Sequence, residues 1–378
     1  MRLEPLRAPA PPPLPALVTF SGDRKKFIHL VARGSALELV TAGFYRFWLA
    51  TDVRRHLWSN TVIDGDAAEY TGRGMELLIG FLFALAILVP IYLAYFLVTI
   101  EAERLKGFAS VPLILAFYGF GQFAIYRARR YRLTRTVWRG VRFWMDGSGW
   151  AYAWRAMLWG LLALVTLGLA LPWREAALER YKMSHSYYGD LQGGFDGDGL
   201  EFFKSAWHLW VAAPFAMVLF PLFPFVYARF KAAEWRWWLS GIHFGDVRLE
   251  SDLPENGLQN VYWKMIGWYF LAGIVLSVYI GICTAVVGSI NGAFSHAGGA
   301  VALSKSLPLL VLTVIGYLAL VLSINVAIRV YLVHDVWVRV LKSVRVESIA
   351  AAAEVAAKGD LASALGEGFA DGLDVAGF

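Results

Sequence analysis

Charge is scarce in this chain. Asp, Glu, Lys and Arg make up 17% of its 378 residues, and hydrophobic residues make up 58%. An ordinary soluble domain is about 25% charged and about 45–50% apolar. The mean hydropathy of +0.52 points the same way, and an ordinary water-soluble globule is excluded. Cysteine is nearly absent. Cys283 stands alone inside an apolar run, so neither an intrachain disulfide nor a cysteine metal centre can form. Histidines are few and scattered, at His29, His56, His185, His208, His243, His296 and His334. They make no His-x-x-x-His or Glu-x-x-His pair. Gly-x-Ser-x-Gly and nucleotide-binding loops are missing too. No enzyme activity, metal or cofactor is therefore expected. An apolar signal region is also lacking at the start. Pro9, Pro11, Pro12, Pro13 and Pro15 predict a stiff, disordered leader over residues 1–19 instead.

What the chain has in excess is aromatic. Sixteen Trp and 17 Tyr supply the amphipathic rings that gather at membrane–water interfaces. The composition predicts a polytopic membrane protein. The net charge of +6 comes from Arg and Lys at the ends of apolar runs, where they meet lipid phosphates. Membrane lipids, and a small anionic ligand, are the expected partners; nucleic acid is not.

About 20 apolar residues are needed to cross the hydrocarbon. Segments 76–98, 261–290 and 307–333 qualify, and 111–126 does so with its aromatic flanks. Segment 206–227 is long enough but carries Pro214, Pro221 and Pro224, which favour a bent or doubled-back path. Segments 27–44 and 157–171 are short, and the first carries Arg33 and Glu38, so a shallow or re-entrant insertion is expected. The stretch 127–142 is rich in arginine and has no acid. Basic flanks lie on the cytoplasmic side, which puts the C-terminus inside. Seven full crossings, with the segment around 173–201 outside, is the alternative topology.

The chain also matches itself. Residues 39–76 align without a gap on 164–201, and ten positions are identical, among them Trp48 with Trp173, Arg55 with Arg180, Ser59 with Ser184 and Glu76 with Glu201. Weaker units are read at 120–150 and 220–250. Arg55, Arg135, Arg180 and Arg236 each stand five residues before Asn60, Gly140, His185 and Gly241. A large residue follows at Ile63, Phe143, Tyr188 and Phe244. Then comes a turn signal, at Asp64-Gly65-Asp66, Asp146-Gly147-Ser148-Gly149, Gly189-Asp190 and Gly245-Asp246. Such dipeptides between β-prone runs predict hairpins.

Trp48, Arg55 and Ser59 share one helical face. Four converging arginines would suit an anionic ligand or lipid headgroup, since the guanidinium fork matches phosphate and carboxylate. The alternative is that each arginine caps a helix end at the interface. Asn60 and His185 read either as ligand contacts or as satisfied hairpin residues. Glu76 and Glu201 open the next spans after a Gly-x-Gly. They read either as helix-dipole partners or as a proton or cation site.

The blocks Phe20-Ser21-Gly22, Leu39 to Trp48, Arg54 to Thr61 and Tyr70 to Gly74 resemble the YjgN-like family of bacterial inner-membrane proteins. A closing motif around Gly366 to Asp374 is similar as well. The resemblance implies a fold and a location in the bacterial inner membrane, and no activity.

The expected fold is therefore an all-α polytopic helical membrane bundle with internal repeats, whose short cytoplasmic β-hairpins form a small cap. The membrane domain would run over 20–345, followed by an acidic Ala/Gly-rich cytoplasmic tail over 346–378 that docks on the arginine-rich face. Transport or binding of a small anionic or lipidic molecule at the arginine rim is the expected function. A structural protein that organises partners through its cap and tail is the alternative.

Overall fold

A computed structural model describes residues 15–101, 106–218, 222–294, 299–359 and 361–362. Strand β1 (Ala16–Phe20) comes first, so a strand lies where the disordered leader is expected to end; residues 1–14 lie outside the described residues. After β1, one order of elements recurs along the chain. A helix runs out, a second helix returns, and a β-hairpin follows. The first set is α1 (Arg24–Val40), α2 (Arg46–Ser59), β2 (Thr61–Ile63), β3 (Asp66–Ala67) and β4 (Glu69–Tyr70). The second is α3 (Gly74–Glu101), α4 (Lys106–Thr134), β5 (Thr136–Trp138) and β6 (Val141–Met145). The third is α5 (Gly149–Val165), α6 (Leu171–Ser184), β7 (Ser186–Tyr188) and β8 (Leu191–Phe195). The fourth is α7 (Gly199–Val218), α8 (Phe223–Gly241), β9 (Ile242–Phe244) and β10 (Val247–Ser251). The fifth is α9 (Gln259–Phe294), then α10 (Gly299–Ile328), a π-helical segment (Arg329–Asp335), α11 (Val336–Lys342) and β11 (Val344–Glu347).

The strands form one antiparallel sheet of 11, in the order β3-β2-β1-β11-β10-β9-β8-β7-β6-β5-β4. Its two edge strands, β3 and β4, are separated only by Ala68. One bent segment therefore pairs with β2 on one side and β5 on the other, and the sheet is a nearly closed barrel. Strand β1 completes the fifth hairpin, pairing Ala16 with Val346 and Leu17 with Arg345. This corrects the expected all-α bundle with a small hairpin cap. Strands as short as Thr61–Ile63 carry little local signal, and the β1–β11 pair joins segments from opposite ends of the sequence.

Local chemistry sets the boundaries. The Asp23 side chain accepts from Lys25 N–H at 2.8 Å and starts α1. Ser148 does the same for α5. The Leu-Val-Thr-x-Gly blocks form matching turns between short helices. Thr41 Oγ1 donates to the Leu37 carbonyl and accepts from Tyr45 N–H; Thr166 Oγ1 bridges Leu162 and Ala170 likewise. Left-handed backbone at Ala42–Gly43 (φ 51° and 89°) recurs at Leu167–Gly168 (φ 50° and 88°). Hairpin turns fall at Asp64–Gly65, Arg139–Gly140, Gly189 and Gly245, all with positive φ. The second is displaced from its predicted place. Asp146–Gly149 instead links β6 to the N-cap of α5.

Helices α3 and α4, α9, and the α10–α11 run are long and apolar enough to cross a membrane, over Gly74–Leu97, Val111–Thr134, Gln259–Val286 and Val314–Lys342. They mark a membrane protein. Each helix pair leaves the barrel and returns to it. The pairs α1–α2 and α5–α6 have 17 and 14 residues each. At 1.5 Å per residue they reach only about 25 Å.

The barrel bore is packed. Ile63, Trp138, Phe143, Tyr188 and Phe244 meet there with Ile349 and Ala352 of a short 3₁₀ turn (Ile349–Ala352) after β11. The chain then passes the β7–β8 turn, where Ala356 N–H donates to Asp190 Oδ1 at 3.1 Å. It crosses Trp144 near Lys358 and reaches Thr134, which accepts from Ala362 N–H at 3.4 Å. The acidic stretch 363–378, on which tail docking was expected to depend, lies outside the described residues.

Candidate functional site

The second helix of every pair ends at the barrel, so five helix C-termini converge there. Their inner faces enclose a cavity of about 400 Å³. Trp58 of α2, Arg129, Arg132 and Leu133 of α4, Lys182 of α6, Trp235, Trp238 and Leu239 of α8, and Trp337 and Val340 of α11 line it, with Thr136 and Val344 at its floor. Three cations face this chamber, and no carboxylate is among its lining residues. A neighbouring cavity of about 380 Å³ shares Arg129, Lys182, Trp235 and Trp238 and adds Glu175, Glu179, Lys231 and Glu234.

Glu179 lies between the two cavities and is 5% exposed. Its carboxylate meets Arg129 Nη1 at 2.6 Å and Lys182 Nζ at 2.5 Å. Burial alone would push its pKa up. The attraction of Arg129 and Lys182, with a hydrogen bond from Trp238, outweighs that and holds it at about 2. One carboxylate between two cations leaves one positive charge uncompensated. Lys231 pairs with Glu234 at 2.6 Å and Glu175 with Arg174 at 2.6 Å, so neither of those acids neutralises the triad. The indoles make a rigid frame. Trp58 stacks on Trp337 at 5.1 Å, and each donates to a threonine at the strand ends, Trp58 to Thr136 and Trp337 to Thr61.

The rim arginines take a different part. Arg55 donates to the Gly72 carbonyl at 3.2 Å, Arg180 to Gly197 at 3.2 Å and Arg236 to Leu253 at 3.1 Å. Each acceptor is where its own hairpin leaves the barrel. These bonds tie each helix end to its own hairpin. Counting back from the hairpin turn, the residue in the same register in the second set is Arg130, since the turn is Arg139–Gly140. Arg135 pairs with Glu76 at 2.7 Å, and Tyr131 donates to the same carboxylate oxygen at 2.7 Å. Glu76 thereby ties α3 to α4, while Glu201 is exposed in the first turn of α7.

Trp48 and Trp173 pack against Gly74 and Gly199, where a Cβ would lie 2.8 and 2.7 Å from the tryptophan Cα. Asn60 caps α2 and donates to the His56 carbonyl at 2.7 Å. His185 caps α6, with Nδ1 2.8 Å from the Tyr181 carbonyl. None of these candidates lines the chamber. The chamber-facing position lies one residue before that of the rim arginines. Arg54, Arg129, Glu179, Trp235 and Trp337 hold one position, seven before the first strand residue of each hairpin. Arg54 is buried, and the other four line the two cavities. Leu57, Arg132, Lys182, Trp238 and Val340 follow three residues later, on the same helical face. Among the described residues no group of three or more His, Cys, Asp or Glu could hold a metal ion.

A family model described as a bacterial protein of unknown function (DUF898) matches residues 15–236, more than half of the chain. No curated protein matches the chain. No solved structure matches it either.

Proposed function

The chain belongs to that bacterial family of unknown function, and from this premise we propose that it is an inner-membrane protein whose chamber binds an anionic ligand. The observation that carries the reading is the set of Arg129, Arg132 and Lys182 on an apolar, tryptophan-framed wall, where Glu179, the one carboxylate that meets both Arg129 and Lys182, balances only one of their two charges. Guanidinium and ammonium groups in such a setting are attracted to phosphate or carboxylate more strongly than in water. The cavity falls within the range of about 300–1,000 Å³ typical of small-ligand sites.

Its orientation follows from charge. Arg24, Lys25, Lys26, Arg139, Arg142, Lys342 and Arg345 all lie at or beside the barrel, and basic flanks stay in the cytoplasm. The barrel and the C-terminus are then cytoplasmic. We read the five helix-pair and hairpin units as internal repeats. The support is the equal lengths of α1–α2 and α5–α6 and the recurring bond from arginine to a carbonyl 17 residues ahead.

The test is direct binding to the purified full chain. Native mass spectrometry with inorganic phosphate, glycerol 3-phosphate and dioctanoyl phosphatidylglycerol should find at least one that binds. Lys182→Gln should weaken that binding about tenfold. A chain that binds none of the three, or binds equally well without Lys182, overturns the reading.

A further inference from the structure

How the chamber is reached narrows what it can hold. Its floor is shut. Below Thr136 and Val344 the bore is filled by aromatic side chains, with Phe143 4.7 Å from Tyr188 and 5.8 Å from Phe244, and Ile349 and Ala352 complete the packing. A soluble ligand arriving through the barrel would have to displace this core.

The walls are uneven. Helices α2 and α6 have 14 residues, α8 has 19 and α4 has 29. At 1.5 Å per residue these are about 21, 28 and 43 Å. All are anchored at the barrel by their C-termini, so the difference in length appears at the opposite end. Walls α2 and α6 therefore stop about 9 Å short of the far side of a hydrocarbon layer of about 30 Å, whereas α8 nearly reaches it and α4 passes it. Their outward partners α1 and α5 stop with them. The tips are apolar and bare: Val40 is 84% exposed, Leu164 73% and Leu167 93%. Such a surface is stable against acyl chains and unfavourable in water. Above α2 and α6 the chamber thus faces lipid.

The cations sit at the opposite end of the same space. Lys182 is two residues from the end of α6, and Arg132 two from the end of α4. That is the barrel side, the depth at which phosphates of the near leaflet lie. Trp58, Trp235, Trp238 and Trp337 line the same chamber within six residues of their helix ends, as indoles gather at an interface.

We infer that the anion is the phosphate of a membrane lipid, which reaches the chamber sideways over the short α1–α2 and α5–α6 pairs. Its headgroup meets Arg129, Arg132 and Lys182, and its chains stay in the gaps above α2 and α6. This rests on the anion-binding reading and names its ligand class.

The experiment compares three ligands on the full chain in detergent. Dioctanoyl phosphatidylglycerol carries both phosphate and chains, glycerol 3-phosphate the phosphate alone, and dioctanoylglycerol the chains alone. The lipid should bind at least tenfold more tightly than either fragment. Arg132→Gln should remove most of that advantage over dioctanoylglycerol, and Arg132→Lys should keep binding within about threefold of the unsubstituted chain. The conservative variant separates lost charge from lost fold. If glycerol 3-phosphate binds as well as the lipid, the lipid assignment is wrong and the anion site stands. If dioctanoylglycerol binds as well as the lipid, the phosphate plays no part and both fail. If nothing binds, both fail as well.

Discussion

Glu179 shows how much one side chain holds. It is a buried carboxylate made tolerable by two cations from two helices. Removing one member of a buried ion pair costs about 3–5 kcal/mol, because the remaining charge is left without compensation. Glu179→Gln should lower the unfolding free energy by that order, read from chemical denaturation in detergent. Its pKa also predicts a pH effect. The folded value of about 2 lies below the ordinary 4.5. The carboxylate therefore contributes stability above about pH 4.5, and that contribution fades as pH falls toward 2. The unsubstituted chain should lose stability across this window, and the Gln variant should show a flatter profile there. Arg236 acts in another way. Its bond to the Leu253 carbonyl is charge-assisted and worth about 1.5–3 kcal/mol. Arg236→Gln should lower thermal stability while leaving lipid binding within about twofold. A variant that binds poorly yet melts normally would return the rim arginines to the ligand site. The recurring arginines were visible as residues. Their bonding was not, since an arginine facing a ligand and one facing a backbone carbonyl read alike in a sequence.

At the scale of elements, close approach governs the helix pairs. Gly74 and Gly199 each lie against the backbone of a tryptophan in the preceding helix, too near for a Cβ. Gly199→Ala should force α7 off α6 and cost about 1–3 kcal/mol as an overpacked contact. A melting temperature unchanged within a degree would mean that the helices part without strain. The shortness of α1 and α5 was legible from the short apolar segments 27–44 and 157–171. Three of the four hairpin turns were also legible, from Asp-Gly, Gly-Asp and Gly-Asp dipeptides. The second was misplaced because Asp146-Gly147 is as good a turn signal as Arg139-Gly140, and only strand pairing separates them. The chamber face was missed for a related reason. Its residues are cationic on α4, mixed on α6 and indole on α8 and α11, so no single residue type recurs to mark the position.

The whole molecule depends on its two ends meeting. β1 and β11 close the barrel, and Leu17 and Arg345 are partners across that seam. Paired antiparallel Cα atoms are about 4.5–5.5 Å apart, within disulfide reach. A Leu17→Cys, Arg345→Cys double variant should therefore oxidise to an intrachain bond that speeds its migration on a non-reducing gel. A mixture of cross-linked dimers would mean that the seam is open. If the barrel lies on the cytoplasmic face as proposed, helix pairs that start and end at it cross an even number of times, and both ends of the barrel seam lie on one side. A fluorescent protein fused after Phe378 should fold and fluoresce in the cytoplasm, and a phosphatase fused there should be inactive. The opposite pair of results would invert the orientation.

By itself the sequence determined the solvent, the helix pairs and the kind of residue at each helix end. These depend on composition and short-range periodicity, which act within a few turns of chain. It also carried the matching Leu-Val-Thr-x-Gly turns, because a threonine bridge and a left-handed glycine are local devices. Only the tertiary structure decided that strands of two to five residues join into one barrel. It likewise decided that five dissimilar helix faces enclose one chamber, and that Glu179 balances cations from two helices. Those outcomes rest on contacts between residues from distant parts of the chain. Their energy comes from burial and pairing that no single segment makes alone.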